Sequence, residues 1–173
     1  MTMQPLDDAV DHVRGPSPGS LIVEYGDYEC PYSRQAFREI ERLERRQGDE
    51  LRFAFRHFPL TEIHPHALAA AAAAEAAALQ GRFWEMHQLL FHHQNALEDQ
   101  DLRRYADRLG LDAGVFDSDR ASARVLERVD RDVQSGIASA EVHGTPTLFI
   151  DGVVHRGAYD EAVLRAALEL SGR

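Results

Sequence analysis

The single cysteine of the chain, Cys30, is the residue with the clearest potential for nucleophilic chemistry. It follows a strand-like run and precedes Pro31, a residue that suits the first position of a helix. A cysteine is a nucleophile only as its thiolate, and the free N–H groups and positive dipole end of a helix N-terminus stabilise that anion. This placement predicts that Cys30 is reactive rather than an inert core thiol.

The residue three positions after Cys30 decides which redox cycle is available. Cys30-Pro31-Tyr32-Ser33 has the Cys-x-x-Cys spacing of a dithiol motif, with Ser33 in the place of the second cysteine. A dithiol cycle ends when the second thiol attacks the mixed disulfide, and a serine hydroxyl forms no disulfide. We expect Ser33 to donate a hydrogen bond to the Cys30 thiolate, and an outside thiol to release any mixed disulfide.

A second candidate element, Gly144-Thr145-Pro146-Thr147, stands at the entrance to a late strand-like run. A cis bond before Pro146 would leave the backbone of Thr145 free to pair with an extended substrate. Spacing alone does not select that isomer, since only about 5–6% of X-Pro bonds in folded proteins are cis.

The elements that must position these residues begin with a βαβ unit. Residues 21–26 are β-branched and aromatic and predict a buried strand, while residues 31–48 show helical spacing with a glycine stop. Residues 51–58 alternate apolar and polar side chains, the period of a half-buried strand. Before it, the breaker-rich segment 15–20 separates a polar N-terminal arm that we expect to pack loosely.

The rest of the chain predicts a helical segment and then a return to strands. From about residue 64 to 140 the periodicity gives only helices, four or five in number. Residues 146–150, the turn signal Asp151-Gly152 and residues 153–155 predict a hairpin, followed by a helix over about 159–170. The order β-α-β, helical insertion, β-β-α is that of a thioredoxin-like α/β fold.

These elements define the predicted domain organisation. We assign residues 1–20 to the arm and linker, 21–62 and 141–173 to the thioredoxin-like domain, and 63–140 to a helical cap inserted between its halves. A chain of 173 residues fits one such domain.

Composition excludes several classes of function. The formal net charge of −10 argues against a nucleic-acid partner, which needs clustered positive charge. No apolar run approaches the roughly 18 residues of a membrane span. The first twenty residues are acidic where an export signal needs a basic and then an apolar region, and the sparing use of cysteine agrees with a cytoplasmic location.

Five segments, in order along the chain, carry a family resemblance: Glu24 to Tyr32, Arg56 to Leu60, His64 to Ala67, Phe83 to His87 and Gly144 to Thr147. Through them the chain resembles the DsbA-like thioredoxin-fold oxidoreductases, from about residue 11 to 170. The similarity is nearest to bacterial thioredoxin domains that occur alone or fused to sodium/proton antiporters.

The resemblance implies roles for particular residues. Cys30 would be the attacking cysteine, Pro146 the cis-proline that faces it, and Glu24 the buried acid that manages protons beneath the site. Pro31, Tyr32 and Thr145 would contact the substrate together with Pro146, beside the helical cap. Ser33 stands where the family usually has a second cysteine. The resemblance therefore implies the family's fold for this chain, but not its dithiol activity.

Our leading hypothesis is a cytoplasmic monothiol oxidoreductase in which Cys30 forms mixed disulfides with proteins or low-molecular-weight thiols. No cofactor is expected to bind tightly, although glutathione or another small thiol would serve as co-substrate and reductant. Two alternatives remain: a redox-inactive module that binds peptides or a partner protein, and a glutathione-dependent transferase or isomerase in which Ser33 orients a bound thiol.

Nine histidines raise the question of a metal site. The candidates considered were His64, His66, His87, His92 and His93. The pairs His64/His66 and His92/His93 lack the i, i+4 spacing of a two-histidine helical site, and no cysteine is close to them in sequence. We therefore predict no metal, and we expect the alternating charges of residues 124–132 to form a solvated helix face.

Overall fold

The computed structural model describes residues 3–171, and a five-stranded mixed sheet forms its centre. The strands are β1 (His12–Arg14), β2 (Ser20–Gly26), β3 (Leu51–His57), β4 (Thr147–Ile150) and β5 (Val153–Val154), in the order β1-β3-β2-β4-β5. Strands β2 and β3 are parallel and the other neighbours are antiparallel.

Helices cover both faces of the sheet and fill the long segment between β3 and β4. They are α1 (Pro31–Gln47), α2 (Ala67–Leu79), α3 (Phe83–His92), α4 (Asp99–Arg108), α5 (Ala113–Arg120), α6 (Ala123–Ser139) and α7 (Glu161–Ser171). From β2 onward the observed order of elements is the predicted one, with a helical insertion between the two halves of the sheet. No helix in residues 3–171 has both the length and the apolar character needed to cross a membrane.

Helix α1 forms because its sequence supplies a start, a stripe and a stop. Pro31 opens it, where a missing N–H costs no helical hydrogen bond. Phe37, Ile40 and Leu43 recur at helical spacing and are almost completely buried, which stabilises the fold by about 1.5–3 kcal/mol for each side chain. Gly48 ends it with a backbone φ of 43°, a value that favours glycine.

The period of two in strand β2 places successive side chains on opposite faces of the sheet. Val23 and Tyr25 join the smaller apolar cluster on one face, and Ile22 joins the main core on the other. Glu24 shares the parity of Ile22, and its strand neighbours in register are Phe55 on β3 and Leu148 on β4. An acid therefore occupies an interior position of a central strand.

The prediction of a loosely packed N-terminal arm is wrong. Residues 12–14 of the arm form β1 and pair with β3, and Met3 is 8% exposed. The physical reason is Arg56, which β3 carries into the interior with no exposed surface. A buried guanidinium needs a partner, and Asp11 supplies both carboxylate oxygens, at 3.0 and 2.9 Å.

The charged face predicted for α6 is also only partly solvated. Asp132 is fully buried and accepts a hydrogen bond from the backbone N–H of His57 at 3.0 Å. Arg128 pairs with Asp132 at 2.6 Å, and Arg131 lies 3.3 Å from Asp11. Arg131 therefore joins the arm to α6, and Asp132 joins β3 to α6. Local charge alternation does not reveal these long-range contacts.

Candidate active site at the start of α1

Cys30 is the N-cap residue of α1, with an extended backbone (φ −75°, ψ 122°). The first helical hydrogen bond runs from the Arg34 N–H to the Cys30 carbonyl, at 3.1 Å. The N–H groups of Tyr32 and Ser33 precede that bond in the first turn, where an N-cap side chain normally finds its donors. A thiolate on Cys30 is therefore placed at the positive end of a 17-residue helix.

The loop before β4 approaches the sulfur from the other side. Cys30 Sγ donates a hydrogen bond to the Thr145 carbonyl across 3.4 Å, and the Thr145–Pro146 peptide bond is cis. The Thr145 Oγ1 is buried and has no hydrogen-bond partner among residues 3–171. Cys30 is 3% exposed, whereas Tyr32 beside it is 61% exposed. The sulfur therefore lies between the start of α1 and the loop that contains the Thr145–Pro146 bond.

Ser33 is fully buried, and its hydrogen bond differs from the expected one. Its Oγ accepts from the backbone N–H of Asp27 at 3.2 Å, and within the described chain it has no hydrogen bond to Cys30. Asp27 lies just past the end of β2, where its N–H has left the strand ladder. The hydroxyl therefore serves the turn between β2 and α1 in this structure.

Sequence reasoning missed Asp27, which fixes that turn. Its buried carboxylate accepts hydrogen bonds from the N–H of Glu29 at 2.8 Å, the N–H of Leu60 at 2.9 Å and the Nδ1 of His64 at 2.7 Å. The Asp27 carbonyl also accepts from the Cys30 N–H. The available signal was an aspartate between a strand and a helix start, a residue type that bonds its own turn.

Two further residues, also missed, tie the turn to the helical cap. Glu29 accepts from the backbone N–H of His66 at 2.6 Å and from its Nδ1 at 2.8 Å. Gln94 donates from Nε2 to the carbonyls of Tyr28 and Cys30, each at 2.8 Å. The hydrogen bond that the His66 ring donates to Glu29, more than any other effect, raises the pKa of His66. These contacts join residues at least 37 positions apart, so local sequence gives no signal of them.

Glu24 is fully buried, and neither carboxylate oxygen has a hydrogen-bond partner in the described residues. Burial raises its pKa to about 8, against a smaller opposing effect of Arg14. Space for it comes from Gly26, where an added Cβ would lie 2.8 Å from Glu24 Oε1 and 2.5 Å from the Phe55 ring. The acid is therefore protonated in the neutral range and near its titration point.

Tyr159 lies just before α7 and is half-buried. Burial, more than any other effect, raises the pKa of Tyr159, with smaller contributions from Cys30, Tyr32 and Glu24. The sequence analysis placed it only as the start of a helix.

The histidines considered for a metal site are dispersed into other roles. His64 and His66 bond Asp27 and Glu29, and His87 is buried against the Tyr28 hydroxyl at 3.0 Å. Burial lowers the pKa of His87, which keeps that ring neutral. Within residues 3–171, three potential ligands converge only at His12, His57 and Glu75, which the sequence analysis did not single out.

Comparisons with known proteins agree with this geometry. A family model described as thioredoxin matches residues 8–170. The chain is 47% identical over 170 residues to the Na(+)/H(+) antiporter NhaA 1 of Mycolicibacterium gilvum, covering 96% of this chain and 27% of that protein. It is 47% identical over 167 residues to NhaA 3 of Salinispora tropica, covering 96% and 25%. The chain thus spans about a quarter of the length of these relatives.

Solved structures show the same fold. A thioredoxin-like oxidoreductase from Silicibacter pomeroyi superimposes with a TM-score of 0.82 at 26% identity, covering 95% of this chain and 94% of that one. BdbD from Bacillus subtilis gives a TM-score of 0.83 at 19% identity, covering 98% and 96%. The predicted thioredoxin-like α/β fold is confirmed, and the chain belongs to the thioredoxin family.

Proposed function

We propose that the chain is a thiol-disulfide oxidoreductase that works through one thiol, that of Cys30. The observation that carries the proposal is the position of Cys30 Sγ at the N-terminus of α1, 3.4 Å from the Thr145 carbonyl. Similarity to a thioredoxin-like oxidoreductase at 26% identity supports it.

The proposed reaction is a two-step disulfide exchange. The Cys30 thiolate attacks one sulfur of a substrate disulfide, a Cys30–substrate disulfide forms, and the other substrate sulfur leaves as a thiolate that takes up a proton. An outside thiolate then attacks the substrate sulfur of the mixed disulfide, forms a disulfide with the substrate and releases the Cys30 thiolate. Ser33 cannot perform the second step, because its buried hydroxyl forms no disulfide.

We assign Glu24 as the group that exchanges a proton with the site. A carboxyl with a pKa of about 8 holds its proton at pH 7 and can release it near that pH. Both of its oxygens are free of hydrogen bonds in the described residues, so protonation does not compete with a structural partner.

The proposed substrates are protein disulfides and mixed disulfides of low-molecular-weight thiols. Exposed Pro31 and Tyr32 and the backbone of Thr145 are the proposed contacts with them, beside Pro146. A small thiol such as glutathione would be the releasing reductant, and the cytoplasm, whose glutathione pool is reducing, is the proposed location. Nucleic acid and membrane lipid are not among the proposed partners.

Alkylation of Cys30 at pH 7 tests the reactivity of the thiol. We expect Cys30 to react faster than free cysteine, because the N-terminus of α1 stabilises the thiolate. A rate no higher than that of free cysteine would contradict the proposal.

Ser33→Cys tests the proposed role of the missing thiol. With dithiothreitol as the reductant, this variant should reduce the disulfides of insulin with repeated turnover, since it restores the resolving sulfur, whereas Ser33→Ala should not. An inactive Ser33→Cys protein with native circular dichroism would show that more than one sulfur separates this chain from a dithiol enzyme. If, in addition, Cys30→Ala bound peptides as wild type does, the binding-module alternative would be favoured.

A further inference from the structure

Three side chains from three elements converge away from Cys30. His12 on β1 and His57 on β3 each place Nε2 at 2.7 Å from the same oxygen, Oε1 of Glu75 on α2. His57 has no exposed surface, Glu75 is 4% exposed, and the side chain of His12 is 15% exposed. The cluster is therefore interior on two sides and open through His12.

The open side faces a cavity. A space of about 480 Å³ is bordered by His12 and Glu75, together with Val10, Leu79 and arginines of α6. None of the residues that line it belongs to the Cys30 site. A small ligand and water can thus reach His12 and Glu75 from outside, while His57 closes the floor of the cluster.

We propose that His12, His57 and Glu75 form a binding site for a divalent cation of the Zn²⁺ type, with a fourth position open to the cavity. Two imidazoles and one carboxylate are a ligand set that Zn²⁺ accepts, and an open fourth position is typical of non-structural zinc sites. Candidate ligand atoms of all three residues lie within 4.8 Å of one another.

The two contacts between the imidazoles and Glu75 need only a small adjustment. Bonds of about 2.0–2.2 Å to a tetrahedral Zn²⁺ would separate ligand atoms by about 3.3 Å. The two contacts with Glu75 Oε1 are 2.7 Å long, so each imidazole would withdraw by roughly half an ångström from the carboxylate. The His12 ring, stacked on Phe83 at 3.5 Å and 8° between planes, is already oriented.

Three arginines border the cavity, and carboxylates offset the charges of two of them, Arg128 and Arg131. Arg128 lies 2.6 Å from Asp132, and Arg131 lies 3.3 Å from Asp11. A bound cation would cross-link β1, β3 and α2, and so would hold the N-terminal strand to the sheet and to the cap.

Zinc titration of the Cys30→Ser protein tests the site, because that protein has no thiol to bind the metal. After the protein is treated with a chelator and the chelator is removed, we expect calorimetry to show one Zn²⁺ bound per chain. Titration with Co²⁺ in place of Zn²⁺ should give the visible absorption of a tetrahedral site. His12→Gln in the same background should weaken Zn²⁺ binding by at least about 100-fold. Loss of a residue that only supports a metal ligand costs up to about this factor, and His12 is a proposed ligand itself. The matched control is His143→Gln, which alters an exposed histidine outside the cavity.

The inference would be overturned if Cys30→Ser showed no saturable Zn²⁺ binding. It would also be overturned if His12→Gln and His143→Gln weakened Zn²⁺ binding equally. A measurement without a ligand mutation guards against misfolding of His12→Gln. Zn²⁺ should shift the imidazole nitrogen resonances of His12 and His57 in Cys30→Ser and leave those of His143 in place. Shifts confined to other histidines would equally contradict the site. None of these outcomes bears on Cys30 chemistry.

Discussion

Glu24 and Glu75 are both buried in one protein interior, yet they favour opposite charge states. Burial raises the pKa of Glu24 to about 8, against a smaller opposing effect of Arg14. Burial would raise the pKa of Glu75 as well, but hydrogen bonds from His12 and His57 hold it well below its ordinary value. The two carboxyls differ in partners rather than in exposure, so partners decide whether a buried acid holds a charge or a proton.

The difference separates two regions of the molecule by their tasks. Glu75 lies where the arm, the sheet and the cap meet, and its charge joins those three elements. Glu24 lies between apolar strand neighbours, Phe55 on β3 and Leu148 on β4. A buried acid without a hydrogen-bond partner does not stabilise the fold by pairing. For this reason we assign Glu24 a role in proton exchange.

The largest effect is expected from breaking the paired site with Glu75→Gln. Removing the charge that two histidines share should lower the free energy of unfolding at pH 7 by about 3–5 kcal/mol. Urea denaturation with a chelator present measures this without a metal contribution. The control Glu85→Gln, on an exposed glutamate bonded only to Arg82, should change it by less than about 0.5 kcal/mol.

The sign of the pH dependence follows from the lowered pKa of Glu75. A carboxyl whose folded-state pKa is depressed contributes stability above its unfolded-state pKa of about 4.3 and loses it as the pH falls below that value. The gap between wild type and Glu75→Gln should therefore narrow below pH 4. A gap that stays constant down to pH 3 would show that the charge of Glu75 is not what matters.

Glu24→Leu should have the opposite effect. A folded-state pKa raised to about 8 means stability that is complete below pH 4 and is lost as the pH rises toward 8. The leucine variant lacks this loss, so its advantage over wild type should grow by about 4 kcal/mol between pH 4 and pH 8. Urea unfolding at the two pH values measures the change. Parallel pH profiles of the two proteins would remove Glu24 as a buried proton carrier.

Asp27→Asn probes a third buried carboxylate, one that is paired like Glu75 but lies in the Cys30 turn. An amide oxygen replaces part of a charged acceptor of three hydrogen bonds, so we expect a loss of about 1.5–3 kcal/mol in unfolding free energy and a slower alkylation of Cys30. Asp112→Asn is the control, because asparagine caps a helix as well as aspartate does. Unchanged alkylation in a destabilised Asp27→Asn protein would limit Asp27 to a structural role.

The smallest effect is expected at the partly exposed contact between Glu29 in the Cys30 turn and His66 in the cap. Glu29→Gln should lower the pH at which His66 titrates, because the hydrogen bond that His66 donates to Glu29 is the main cause of the raised pKa of His66. A raised histidine pKa gives stability that is present below pH 6.5 and is lost as the pH rises through the folded-state pKa. Nuclear magnetic resonance titration follows this directly, and an unmoved His66 midpoint would contradict the assignment.

Much of the fold was predictable because it depends on local patterns. The alanine-rich helix α2 and the turn Asp151-Gly152, with φ of 46° and 83°, follow from propensity and from turn chemistry. Strand β1 was missed because three residues show no period, and its pairing depends on the remote Arg56. Local sequence carries no signal for such a contact.

The candidate site was predictable in its nucleophile and less so in its supports. Cys30 is marked by its place between a strand and Pro31, and the acid Glu24 was indicated only by family resemblance. Gln94 and Tyr159 act across long sequence separations, which leave no local pattern, whereas the place of Asp27 between a strand and a helix start was an available signal. The hydroxyl of Ser33 could be placed near Cys30 by spacing, whereas its actual partner, the Asp27 N–H, depends on how the turn closes.

Intact-mass spectrometry after mixing with oxidised glutathione tests the proposed single-thiol mechanism most directly. Wild type should gain one glutathione on Cys30, keep it after the excess is removed, and lose it only when a thiol is added. Ser33→Cys should lose it without added thiol by forming an internal disulfide, and Cys30→Ser should gain none. A wild-type protein that never acquires the adduct, or that sheds it unaided, would contradict the proposal.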